Sequence, residues 1–184
     1  MSLVKLIAQA DERGLAASGL ACLDRCVPLL GGDDEVLRPL WASLTDAAGA
    51  GEWGERLEQT RAKLDAPGAG DEAAVLAHRM LRDAPADLSG GAVRAWADAC
   101  SVASLQIHRL LDTAEDEAGS VDARREGRTD GMSPLVAAEL RRQVTVLEVL
   151  AGHGPAGLRR ALEISVEGRR VLRAVVSRRS RQQG

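Results

Sequence analysis

Phenylalanine and tyrosine are missing from the 184 residues, and tryptophan occurs only three times. A core must therefore be assembled from Leu, Val, Ala and a few Ile and Met side chains, with almost no aromatic stacking. There is also no series of aromatics between basic residues on which nucleic-acid bases would stack. Lysine is nearly absent, since 22 of the 24 basic residues are Arg. Together with abundant Ala and Gly, that bias points to a GC-rich bacterial genome, so the arginine count alone says little about nucleic acid. Three cysteines are too few and odd in number for a disulfide framework.

Long apolar runs are lacking as well. No stretch reaches the ~18 residues of a membrane span, and Met1 to Glu12 meets Asp11 and Glu12 too soon for a signal peptide. The expectation is a cytoplasmic protein that uses no membrane. Gly-x-Ser-x-Gly, Gly-x-x-x-x-Gly-Lys and dinucleotide-binding glycine patterns do not occur, and no period-two strand pattern is visible. No catalytic residue, cofactor or metal is assigned.

What is present is helical periodicity. Six short to medium apolar stripes precede residue 117. Leu3, Leu6, Ile7 and Ala10 mark the first, which Gly14 ends or interrupts. Gly19, Cys22, Leu23, Cys26, Val27 and Leu30 mark the second. The third runs over Val36, Leu37, Leu40, Trp41, Leu44 and Ala48, with Pro39 either at its first turn or at a kink. Trp53, Leu57, Thr60 and Leu64 lie on a polar fourth helix, and Asp71 caps a fifth through Val75, Leu76, Met80 and Leu81. Val93 to Ala114 sustains a 3.6-residue period over about six turns.

The pattern then dissolves into Glu115, Asp116, Glu117 and a run of polar residues. Beyond it, Ser133-Pro134 reads as N-cap and first helical residue. The stripe Val136, Leu140, Val144, Leu147 is broad, widened by Val146 and Val149. Gly152-His153-Gly154-Pro155 is a stop and restart. A second stripe follows through Leu158, Ala161, Leu162, Ser165, Gly168, Leu172 and Val175. The expected fold is all-α, a bundle of about seven to eight helices. Residues 1–117 form an N-terminal helical bundle of six helices, 118–132 a flexible polar loop, 133–178 an antiparallel helical hairpin, and 179–184 a basic tail.

The candidates for chemistry are few. Cys22 and Cys26 share a helix face but continue an apolar stripe, so they read as core thiols. His108 lies one turn before Asp112, either a solvated ion pair or an oriented imidazole. Of the carboxylate clusters, Asp33-Asp34-Glu35 and Asp71-Glu72 suit helix starts. From Leu158 onward eight arginines face two glutamates, which leaves the first 157 residues at −9. Arg159 and Arg160 can pair with Glu163, so the unbalanced patch is Arg173, Arg178, Arg179 and Arg181.

The leading expectation is a non-enzymatic interaction or scaffold module. It would self-associate as a homodimer through the hairpin, whose apolar width exceeds one neighbour's needs, or meet another protein. A nucleic-acid-associated regulator using the four arginines is the first alternative. A small-ligand binder or enzyme with an interhelical pocket at His108 and Asp112 is the second.

Overall fold

A computed structural model describes residues 1–45, 49–116 and 119–184. Its elements are α1 (Leu3–Gln9), α2 (Glu12–Arg25), a 3-10 turn over Val27–Leu29, α3 (Arg38–Thr45), a second 3-10 turn over Gly49–Glu52, α4 (Trp53–Ala62), α5 (Glu72–Arg82), α6 (Gly90–Leu111), α7 (Val121–Arg125) and α8 (Pro134–Gln183). The fold is an all-α bundle, and no strand occurs among the described residues.

The centre of the bundle is α2. Twelve of its 14 residues are buried, because it packs against α3, α5, α6 and α8 at once. Its sequence explains how four neighbours fit. Ala16, Ala17, Gly19 and Ala21 let partners come close, and a Cβ on Gly19 would stand 2.8 Å from the Trp96 ring. The helix is interrupted before α2 at Ala10–Asp11, where the Asp11 carboxylate accepts from Gly14 N at 2.7 Å. Gly14 is thus inside α2's first turn and does not end a helix. Pro39 takes the first-turn position of α3, and Ala48 lies outside the described residues.

All three tryptophans place the ring in the core and bond the indole N–H. Trp41 donates to Asp24, Trp53 to Pro85 O and Trp96 to Met80 O, at 2.8, 2.8 and 2.9 Å. Trp53 and Trp96 also meet edge to face at 6.1 Å.

Residues 134–153 and 155–183 of α8 are two arms of an antiparallel hairpin. Gly154 breaks the helix at φ +50°, ψ −131°, and Pro155 opens the second arm. Beside the turn the arms nearly touch, since a Cβ on Gly157 would lie 2.5 Å from Val149 O. Further along, Gly168 faces the Arg142 stem, and Leu135 lies across from Val175 and Arg178. The broad apolar face is covered within the chain by α1, α2, α3 and α6, with Val136, Leu140, Val146, Leu147, Leu158, Ala161, Ile164 and Leu172 buried. The hairpin therefore has four helical neighbours in its own chain, which accounts for the apolar width without a second copy.

Two details differ from the sequence reading. The Ser133 hydroxyl makes no capping bond; Asp112 takes that role by accepting from Leu135 N at 2.8 Å. The stretch read as a polar loop contains α7, whose Arg124 and Arg125 are buried. Asp116 secures it, accepting from Arg109, Arg124 and Ser133 N at 3.0, 3.3 and 3.0 Å. Burial alone would raise the Asp116 pKa, but the Arg109 hydrogen bond and its other donors hold it below the usual value. Glu117 lies outside the described residues.

Candidate functional site

Two places concentrate polar chemistry, one enclosed and one open. The enclosed one lies where α2, α6 and the first arm of α8 meet. Arg25 at the end of α2 donates from Nε and Nη2 to the two Glu139 carboxylate oxygens, both at 2.8 Å, and neither side chain reaches solvent. Glu139 Oε1 also accepts from Ser104 at 2.7 Å and from Gln143 at 2.9 Å. Gln143 in turn bonds Ser101, which accepts from Arg125 at 3.1 Å. Burial alone would raise the Glu139 pKa, but the Arg25 charge and the cluster's other donors together outweigh it and hold the carboxyl down at about 2.

His108 belongs to this cluster and does not pair with Asp112. Its Nδ1 lies 2.7 Å from Ser104 O, an acceptor only, so Nδ1 carries the proton. Nε2 then faces Glu139 at 3.6 Å with its lone pair. Burial lowers the His108 pKa despite that carboxylate, and the ring is 2% exposed. Asp112 instead caps α8 from the other end of the junction. Cys22, Cys26 and Cys100 are free and buried, and burial pushes the Cys22 thiol up to about 12. Such a thiol is a core group with a weak S–H and not a nucleophile. Among the described residues no three His, Cys, Asp or Glu side chains are grouped to hold a metal.

The sequence contained a signal for this cluster. Glu139 and Gln143 sit four apart on the same face as Val136, Leu140, Val146 and Leu147, and a polar pair on an apolar stripe requires partners inside. Arg25 is the residue that balances them, three positions after Cys22.

The open place is at the far end of the hairpin. Leu110 and Leu111 from α6, Leu135 from the first arm and Val175 from the second line a groove of about 560 Å³. Arg178, Arg179, Gln182 and Gln183 form one edge and Asp112 and Thr113 another. Leu110 is 40% exposed, unlike the other large apolar side chains of α6, which are buried or half-buried. Of the four arginines singled out from sequence, Arg173 forms an ion pair with Asp34. Arg178 and Arg179 line the groove, and Arg181 is exposed near the chain end. Among the described residues none of these last three has an acidic partner. Arg159 and Arg160 both reach Glu163, and Arg169 reaches Asp24 at 3.1 Å. The unbalanced patch therefore shrinks to three residues beside an apolar floor.

Among the described residues no helix is long and apolar enough to cross a membrane. Compared with protein-family models, with curated proteins and with solved structures, the chain matches none of them.

Proposed function

We propose that this chain is a non-enzymatic protein-interaction module that receives an acidic amphipathic helix of a partner protein at the basic end of the α8 hairpin. The observation that carries the reading is the groove itself, with a half-exposed floor of Leu110, Leu135 and Val175 beside Arg178 and Arg179. Helix-in-groove recognition combines these two parts, apolar anchors at i, i+3 or i+4 and a charged edge that sets orientation. The enclosed cluster supports the same division of labour, since its His108, Glu139 and thiols are engaged in the core and closed to a substrate.

The partner is a different protein and not a second copy. The exposed large apolar side chains among the described residues are Met1, Val4, Val75, Leu110 and Val171. Met1 and Val4 stand beside Lys5, and Val75 and Val171 stand singly, so none forms an apolar row bordered by carboxylates. Duplex DNA is the weaker alternative, because phosphates would use the arginines but leave the leucine floor exposed.

The test is titration of full-length protein with a labelled helical peptide carrying Leu at i, i+3 and i+7 and Glu on the flanks. Micromolar binding that weakens with salt and about tenfold in R178E/R179E is the expected result, since two exposed ion pairs contribute about 0.2–1 kcal/mol each. Equal binding by the variant, or equal binding of a lysine-flanked peptide, overturns it. Tighter binding of duplex DNA, with a steep salt slope, transfers the site to nucleic acid. Concentration-dependent dimerisation in sedimentation that R178E/R179E abolishes transfers it to a second copy.

A further inference from the structure

Arg25 is enclosed but not saturated. Its Nε and Nη2 bond Glu139 and Cys22, whereas Nη1 is buried and has no hydrogen-bond partner among the described residues. Buried donors in folded proteins are nearly always paired with protein or with ordered water, because an unmade bond to a charged group carries its full desolvation penalty. Arg25 also lines a small cavity between α1, α2, α6 and the first arm of α8. The volume is about 10 Å³, and the polar lining besides Arg25 is Ser18, Cys22, Ser101 and Gln143. The remaining walls are apolar side chains of α1, α6 and α8.

The acceptor capacity around the cavity can be counted. Ser18 Oγ donates to Leu15 O at 2.9 Å, which leaves its lone pairs open. Ser101 Oγ donates to Gln143 Oε1 at 2.6 Å and accepts from Arg125, so it has one further lone pair. Both Gln143 N–H groups are engaged, with Ser101 O and Glu139, so the amide can offer only its oxygen. The lining therefore supplies two free N–H donors, both on Arg25 Nη1, and several free acceptors. A molecule that accepts from Nη1, donates twice and occupies one water volume fits this lining.

We infer that this cavity is a binding site for a single internal water that accepts from Arg25 Nη1 and donates to Ser18 and to Ser101 or Gln143. The size fits, since a water needs roughly 10–15 Å³ and two to four polar partners. It excludes larger neutral ligands, and the guanidinium beside it repels a cation. The water links α2 to α6 and to α8 at the point where the buried ion pair does, giving Arg25 Nη1 an acceptor. It is a second, independent part of the junction and does not rest on the groove.

The test uses the native chain. A crystal structure detailed enough to place ordered solvent is expected to show one density peak within hydrogen-bond reach of Arg25 Nη1. Crystals pressurised with xenon are expected to show no xenon there, because dry apolar cavities take it up and a hydrated polar one does not. In solution, cross-relaxation from water to the Arg25 guanidinium protons is expected. Xenon in the cavity overturns the inference, as does a cavity without density or an Nη1 turned onto a protein acceptor.

Discussion

Arg25 in α2 and the Arg178–Arg179 pair near the end of α8 carry the same guanidinium into opposite surroundings. Arg25 is fully buried, meets a carboxylate bidentately and has a mid-helix glycine opposite its stem. Arg178 and Arg179 are exposed and have no acidic partner among the described residues. In a chain this rich in arginine, the count of cations is uninformative and the location of their partners is decisive. A buried pair holds helices in one arrangement and resists the loss of either member. An exposed unpaired cation adds little to stability and remains available to a partner.

The sharpest way to break the comparison is to remove one member of each. Glu139→Ala leaves Arg25 buried without its carboxylate and still charged, since a guanidinium does not lose its proton in a protein. The expected loss is about 3–5 kcal/mol, read as a lower denaturant midpoint. Replacing both residues, as R25M/E139M, is expected to restore most of it, because the pair's net contribution over well-packed apolar groups is small. A double variant as unstable as the single one would contradict this account.

Acid titration tests the same cluster without mutation. His108 has a lowered pKa from burial, so it is neutral when folded while the unfolded chain takes a proton below 6.5; stability therefore falls as pH drops beneath that value. Glu139, held at about 2 against its ordinary 4.5, loses its contribution between those values. Asp116 acts in the same direction below 3.8. Asp24 opposes them: burial, working against Arg169 and Trp41, raises its pKa, so its folded form gains on protonation. Denaturant midpoints measured from pH 7 to 5 follow His108 together with His78, whose pKa burial also lowers, and His108→Gln is expected to remove the His108 share of that slope.

Gly168 offers a smaller effect on the same side. A Cβ there would stand 2.5 Å from Arg25 Cδ and 3.0 Å from Arg142 Cδ. The Arg25 stem is anchored by Glu139 and cannot swing away. Gly168→Ala is expected to destabilise by about 1–3 kcal/mol, even though alanine is the better helix former. A stabilised variant would mean that the stem relaxes freely.

Periodicity made the helices legible, including the break at Gly154-Pro155, the Asp71 cap and the long sixth helix. It was less informative about which helix lies at the centre. With its small residues and polar ends, α2 has a weak one-sided stripe because it is buried all round, so a pattern that looks indistinct marks the most enclosed element. The hairpin, with its broad stripe, packs against α2 and uses its width on neighbours far away in sequence. For the site, the unbalanced arginines could be read from charge alone. Leu110, Leu135 and Val175 could not, because each belongs to an ordinary apolar stripe and only the antiparallel folding of the arms brings them together. His108 was visible, but its partner was misread. The nearest acid in sequence, Asp112, points to the start of α8, and Glu139 approaches from another helix.

The smallest expected effect completes the contrast. R178Q/R179Q removes two charges that meet no acidic side chain among the described residues, so stability is expected to change by less than about 0.5 kcal/mol. Part of even that change comes from the helix dipole, which favours cations in the last turns of α8. The same variant is expected to weaken acidic-peptide binding severalfold and to reduce its dependence on salt. If the substitutions instead lower the unfolding midpoint by an amount comparable to Gly168→Ala, then Arg178 and Arg179 are part of the hairpin's packing. In that case the groove is closed in solution, and the difference between the two ends of the molecule is one of degree.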